Sequence, residues 1–234
     1  MKVIVTGGGS GYGKGMAAEL VKAGMDVWIT GRTPEKLKVA ARETGAQAIV
    51  ADVTNGADWD RVFEAAGEVD VLVNNAGGGI CIAPLAEQED ASIEKSISAN
   101  LTGAIMGSAR AARIMSKRKA GMIVNISSVC ACHAWPGWSV YTAAKAGLLK
   151  FSHALHTEMR PFGVKVTCVI PSWGQTDFNH AAGITGASED DSLAARCMSP
   201  KQMGEFILGL IRLPAELTVP EVTIQPMVQE IVPM

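Results

Sequence analysis

Tyr141 and Lys145 stand four residues apart in a stretch with the apolar spacing of a helix, and the i, i+4 separation puts both side chains on one helix face. A phenol with its ordinary pKa of about 10 is a poor base near neutrality, but a neighbouring ammonium favours the phenolate and lowers that value. Such a pair is a tuned acid/base. With 2 tyrosines and 12 lysines in 234 residues, roughly 0.1 such pairs arise by chance, so the pair acquires meaning only from its company.

The company begins at the N-terminus. A short β-branched run, Lys2–Thr6, leads into Gly7-Gly8-Gly9-Ser10-Gly11-Tyr12-Gly13 and then an Ala- and Glu-containing helix. In the order strand, turn, helix, glycines at 7, 11 and 13 let the backbone turn tightly and approach a pyrophosphate seated on the helix N-terminus. A flexible loop is the competing reading of the glycines taken alone. The second strand ends Thr30-Gly31-Arg32-Thr33, where NAD-preferring folds place a carboxylate for the ribose 2′-hydroxyl. None stands there. Arg32 offers a guanidinium suited to a 2′-phosphate, which favours NADP(H) over NAD(H), unless Arg32 is a solvated charge beside a helix start. Asp52-Val53 follows the third strand, where the carboxylate either accepts from the adenine amino group or caps the next helix. After the fourth strand, the small residues of Asn74-Asn75-Ala76-Gly77 permit close passage of the backbone against a cofactor, and the amides can tie neighbouring strands together.

The elements that must position these groups alternate along the chain. Apolar runs at 2–6, 26–30, 46–51, 69–73, 121–127, 164–170 and 221–225 are separated by helical patterns near 12–24, 34–44, 57–66, 92–118, 139–160 and 200–212. Continuous rather than alternating apolarity is what parallel strands covered on both faces require. The pattern predicts a Rossmann-type doubly wound α/β fold with a seven-stranded parallel sheet flanked by helices, in one domain over 1–234. The least regular stretch, 172–199, is expected to form a substrate lid.

Composition excludes several classes. A chain with 48% hydrophobic and 19% charged residues has material for a core, and a formal charge of −2 with scattered basic residues speaks against nucleic-acid binding. The N-terminal apolar run is too short for a signal core or a membrane span, so a cytoplasmic protein is expected, with no membrane partner. Five cysteines are read as reduced thiols. Cys130-x-Cys132 lacks further ligands at zinc spacing, and His153 and His156 read as packing or surface residues, so no metal is expected.

Taken together, Thr6-Gly-x-x-x-Gly-x-Gly13, Asn74-Asn-Ala-Gly77, Asn100, Ser128 and Tyr141-x-x-x-Lys145 resemble the short-chain dehydrogenase/reductase family over essentially the whole chain. The resemblance implies that Tyr141 exchanges a proton with the substrate oxygen, and that Lys145 holds the nicotinamide ribose and lowers the tyrosine pKa. Ser128, thirteen residues before the tyrosine, would bond the substrate oxygen, and Asn100 would anchor a water leading to the lysine. Hydride transfer belongs to the cofactor. The expected cofactor contacts are Gly7, Ser10, Gly11, Tyr12 and Gly13, then Arg32, Thr33, Asp52 and Val53, then Asn75, Ala76 and Gly77, with Tyr141, Lys145, Pro171, Trp173 and Thr176 at the nicotinamide end, where Ile170 can also pack.

The chain departs from the family pattern at Pro171-Ser172, where Pro-Gly is usual, and lacks a terminal Gly-Gly, which speaks against a carrier-protein substrate. A small-molecule carbonyl or alcohol is expected between the segments holding Gly78, Ile80, Cys130, His133, Trp135, Trp138, Ser172 and Trp173. The tryptophans there line a pocket or pack against the core or a subunit. The C-terminal pattern faintly resembles family members acting on small hydroxy acids and hydroxy-amino acids. A homodimer or homotetramer through the long helices is implied. The competing functions are a non-redox lyase or epimerase of the same family and a catalytically silent nucleotide-binding protein.

Overall fold

Val3, Ile4 and Val5 are all fully buried, yet Val3 and Val5 pack into one apolar cluster and Ile4 into another. Successive side chains of a strand leave opposite faces, so a strand covered on both faces must be apolar at every position. The computed structural model describes residues 1–178, 182 and 191–229. Its strands are β1 (Lys2–Thr6), β2 (Asp26–Gly31), β3 (Gln47–Val50), β4 (Val71–Asn74), β5 (Gly121–Ile126), β6 (Val164–Pro171) and β7 (Glu221–Ile224), paired in parallel in the order β3-β2-β1-β4-β5-β6-β7. Each lies where the apolar runs place it. The edge strands β3 and β7 are the exposed ones, with no residue fully buried in either.

The helices are α1 (Gly11–Lys22), α2 (Pro34–Thr44), α3 (Gly56–Ala66), α4 (Asp90–Ile97), α5 (Gly103–Arg118), α6 (Ser139–Met159), α7 (Asp191–Ala194) and α8 (Pro200–Ile211). Residues of α1, α2 and α8 fill the cluster around Val3 and Val5, and residues of α3, α5 and α6 fill that around Ile4. Helices α1 and α8 approach closely, since a Cβ on Gly15 would lie 2.2 Å from the Pro200 carbonyl oxygen. The expected single helix over 92–118 is instead α4 and α5 joined by a π-helical turn, Ser98–Thr102, with Asn100 at its centre. Apolar periodicity runs through the turn, so spacing alone reads one helix. Part of the expected lid over 172–199 falls on 179–181 and 183–190, which lie outside the described residues.

A buried polar chain crosses the sheet. Asn74 Nδ2 on β4 donates to Ser108 Oγ on α5 and to Asn125 Oδ1 on β5, each at 2.9 Å. Asn125 Nδ2 donates to Ser152 Oγ on α6, also at 2.9 Å, and Ser152 donates to the Leu148 carbonyl at 2.7 Å. Strand order reverses between β1 and β4, which opens a crevice at their carboxyl ends, the usual ligand position in open α/β sheets. No helix among the described residues is long and apolar enough to cross a membrane.

Candidate active site

A cleft of about 1300 Å³ opens at that crevice. One end is made of backbone. Gly7 and Gly11 have φ of 67° and 49°, the left-handed region that costs glycine little. Gly13 does not line the cleft; it backs the turn, where a Cβ would lie 2.2 Å from the Gly7 carbonyl oxygen. Ser10 and Tyr12 line the wall, and the Tyr12 hydroxyl is buried against Gly174, whose added Cβ would overlap it at 1.8 Å.

Arg32 and Asp52 line the cleft just past β2 and β3. Arg32 is exposed. Thr33 lies outside the lining and precedes α2 without a side-chain capping bond. Asp52 does not cap α3. Its Oδ1 instead accepts from the Thr54 amide at 2.9 Å and the Thr54 hydroxyl at 2.8 Å, while Asn55 Oδ1 caps the helix by accepting from Ala57 N at 2.9 Å. The short turn after β3 ends three residues later than a direct Asp52 cap requires. Val53 lines the cleft and packs against Gly103.

The floor hangs on Thr6. Its Oγ1 accepts from the amides of Asn75 and Ala76, both at 2.9 Å, while Asn75 Nδ2 donates to the Thr6 carbonyl at 2.9 Å. Asn100 lies behind the floor rather than in the cleft wall. Its Oδ1 accepts from Gly78 N at 2.9 Å, and its Nδ2 donates to the Gly78 carbonyl at 2.9 Å and the Ser96 carbonyl at 3.0 Å. A Cβ on Gly77 would meet Asn100 Oδ1 at 2.6 Å and Lys145 Nζ at 3.5 Å. Only glycine fits between them.

At the other end α6 presents Tyr141 and Lys145, both buried. Lys145 Nζ sits 5.7 Å from the Tyr141 ring centroid and donates to the Ile126 carbonyl at 3.0 Å; Ser127 Oγ donates to the Lys145 carbonyl at 3.0 Å. Ser128 Oγ accepts from the Cys130 amide at 3.2 Å and reaches the Tyr141 hydroxyl. Burial pushes Tyr141 well above the ordinary phenol value, the Cys130 thiol adds to this, and the Ser128 hydrogen bond opposes it. The direction is opposite to the one the neighbouring ammonium alone implies, and burial acts on the lysine as well, pushing it down to about 8. Near neutral pH the pair is therefore a phenol beside an ammonium.

Trp138 and Phe178 stack at 6.1 Å with 10° between planes, and both meet the Tyr141 ring edge-on, at 5.7 Å and 5.5 Å. Gly78, Ile80, Cys130, Trp135, Pro171, Ser172, Trp173 and Thr176 complete the wall. His133 does not line the cleft; it packs edge-on to Trp135 at 6.2 Å. Ile170 is fully buried beneath. Among the residues that sequence reasoning passes over, Phe178 and Gln229 join the wall. Gln229 Oε1 accepts from the Trp173 amide at 2.9 Å and from the Ser172 hydroxyl. Ser172, the departure from Pro-Gly, is thereby fastened to the chain beyond β7. No motif precedes Gln229 that could have marked it.

Comparison with known proteins agrees with this architecture. A family profile described as short chain dehydrogenase matches residues 1–185. The serine 3-dehydrogenase of Agrobacterium fabrum (strain C58) is 32% identical over 196 residues, covering 81% of this chain and 78% of its own. The NADP-dependent 3-hydroxy acid dehydrogenase of Salmonella typhi is 30% identical, covering 98% and 96%. Among solved structures, the closed form of serine dehydrogenase complexed with NADP+ superimposes with a TM-score of 0.90 at 26% identity, covering 100% of this chain and 98% of that one.

Proposed function

The chain belongs to the short chain dehydrogenase family, and from that premise we propose that it is an NADP(H)-dependent oxidoreductase interconverting a small-molecule ketone or aldehyde and its alcohol. The observation that carries this reading is the single cleft that joins a glycine cradle and Arg32 at one end to Ser128, Tyr141 and Lys145 at the other. The residues fit a dinucleotide: the wall at Gly7 and Gly11 has no Cβ, and at Gly77 a Cβ would clash.

In this reading Gly7, Ser10, Gly11 and Tyr12 hold the pyrophosphate at the start of α1, and Arg32 meets the 2′-phosphate. Asp52 and Val53 bound the adenine, Asn75 to Gly77 form the floor, and Lys145 holds the nicotinamide ribose. Pro171, Trp173 and Thr176 face the carboxamide side. Bound NADPH supplies the hydride. Tyr141 donates its phenolic proton to the carbonyl oxygen, and Ser128 bonds that oxygen as negative charge develops. Asn100 acts as a positioning residue, holding Gly77 and Gly78 against Lys145. In the alcohol-oxidising direction Tyr141 takes the proton back.

NADPH consumption against a panel of ketones tests this directly. Tyr141→Phe is expected to lower kcat by about 1,000-fold with NADPH affinity unchanged within twofold. Full turnover in that variant, or no NADPH binding at micromolar concentration by the parent protein, sinks the reading.

A further inference from the structure

The Gln229 amide is held by its oxygen and leaves its nitrogen open. The residue lies beyond β7, lines the cleft and is only 6% exposed. Its Oε1 accepts from the Trp173 amide at 2.9 Å and from the Ser172 hydroxyl. A backbone N–H can only donate, so the atom that faces Trp173 is the oxygen and the nitrogen points the other way. Among the described residues no group accepts from Nε2, yet this atom is not sealed in the core as the Tyr12 hydroxyl is. Its N–H groups therefore open on the cleft. An amide donor so largely buried costs free energy until an oxygen pairs with it. The two bonds to Oε1 also polarise the amide and strengthen Nε2 as a donor.

The sheet places that donor relative to the reacting groups. Strands β1, β4, β5, β6 and β7 are neighbours in that order, and beyond their carboxyl ends stand, in turn, the glycine turn, the Asn75 to Gly77 floor, Ser128, Ser172 and Gln229. Gln229 is thus on the side of Ser128 away from the glycine turn. Neighbouring strands are about 4.8 Å apart, and the Gln229 amide is tied to the segment leaving β6. Its nitrogen therefore stands about one to two strand spacings from Ser128, roughly 5–10 Å. A substrate whose carbonyl oxygen meets Ser128 and Tyr141 reaches Nε2 with an atom a few bonds away. An N–H at that point rewards an acceptor oxygen and gains nothing from a methylene.

Resting on the carbonyl-alcohol activity proposed above, we infer that Gln229 selects the substrate by donating from Nε2 to a second acceptor oxygen a few bonds from the reacting carbonyl. The substrate class is then oxo compounds that carry an ester, amide or carboxylate function, in preference to simple ketones. Ser172 and Trp173 are positioning residues for that amide.

Gln229→Glu tests the donor without removing the clamp. The carboxylate keeps an oxygen for Trp173 and Ser172, whose bonds favour its ionised form, but it puts a lone pair where the N–H stood. With NADPH at pH 8, methyl 4-oxopentanoate and ethyl 3-oxobutanoate are compared with 2-heptanone, which has the same chain length and no second oxygen. The parent protein is expected to prefer at least one ester in kcat/KM by about tenfold, and Gln229→Glu to lose about 100-fold on that ester while 2-heptanone turnover and NADPH affinity hold within twofold. Gln229→Met, which keeps the length without donor or charge, should lose about tenfold on the ester alone. Running 4-oxopentanoate beside its methyl ester tells whether the oxygen taken is a carboxylate's or an ester's, and the selective loss is required of whichever is turned over better. Equal losses on ester and ketone make Gln229 a structural prop, and a loss of NADPH affinity gives its nitrogen to the cofactor; either result overturns the inference, as does a parent protein without preference for a second oxygen. Calorimetric titration of the NADP+ complex with the same compounds separates the two levels. If NADPH binds and no carbonyl is reduced, the oxidoreductase reading fails, while binding of an oxo ester or oxo acid tighter than that of 2-heptanone and abolished in Gln229→Glu still supports the donor, and equal binding still overturns it.

Discussion

The two ends of the cleft are built on opposite principles. The cofactor end is a surface from which side chains have been removed: Gly7 and Gly11 adopt left-handed φ, and Gly13 has the Gly7 carbonyl where a Cβ would be. The reaction end is a surface assembled from large side chains brought together from distant segments, with Trp138 and Tyr141 from α6 and its approach, Phe178 from beyond β6, and Gln229 from beyond β7. A surface defined by absence tolerates no addition, because backbone cannot rotate away. A surface defined by side chains can lose one member and keep the rest, so its variants should separate chemistry, affinity and stability.

The largest expected effect follows from adding a single methyl at the backbone end. Gly13→Ala drives a Cβ into the Gly7 carbonyl, and it should destabilise the fold by about 3 kcal/mol and abolish NADPH binding together. Urea unfolding and NADPH titration read both quantities, and a stable variant with parental affinity breaks the contrast. Lys145→Met should uncouple stability from chemistry. Lysine holds its proton to 10.5 in the unfolded chain but only to about 8 in the folded one, so between those values raising the pH favours the folded state, and below them the buried ammonium is a cost. The variant should therefore be inactive yet more stable than the parent at pH 7, by up to about 3 kcal/mol, with the gap closing as pH approaches 10.5. A gap that stays constant between pH 7 and pH 10 contradicts the assignment.

Arg32→Ala should weaken NADPH by about 10- to 100-fold and leave NADH within twofold. Equal losses would remove Arg32 from the phosphate. The smallest effect is expected from Gln229→Ala, which strips the acceptor from the Trp173 amide and Ser172 hydroxyl. It should raise KM for the carbonyl substrate about tenfold while NADPH affinity holds, and a change confined to NADPH affinity would place Gln229 in the wrong half of the cleft.

The same contrast explains what was legible in the sequence. Backbone surfaces are local, so the turn after β1 and the Asn75 to Gly77 floor can be read from contiguous residues, as can strands whose every position is apolar. Tyr141 and Lys145 are local as well, one turn apart on α6. Phe178 and Gln229 are not, since each is placed by tertiary packing that leaves no spacing signature. The π-helical turn at Asn100 was hidden because apolar periodicity continues through it. Sequence shows the ammonium four residues from Tyr141 but not the burial that raises the phenol's pKa.

The hydrogen-bonded chain of Ser108, Asn74, Asn125 and Ser152 has a mechanical consequence. Asn74 is one residue before the cleft floor, and Ser152 is seven residues beyond Lys145 on α6. Sliding α6 along the sheet by one turn, about 5.4 Å, would require the link from Asn125 to Ser152 to part. The floor and the proton donor consequently share one frame of reference, so a thermal displacement of either carries the other with it. The gap that hydride and proton must cross is then held to the tolerance of a hydrogen bond, a few tenths of an ångström, where a purely greasy contact between helix and sheet would let it creep.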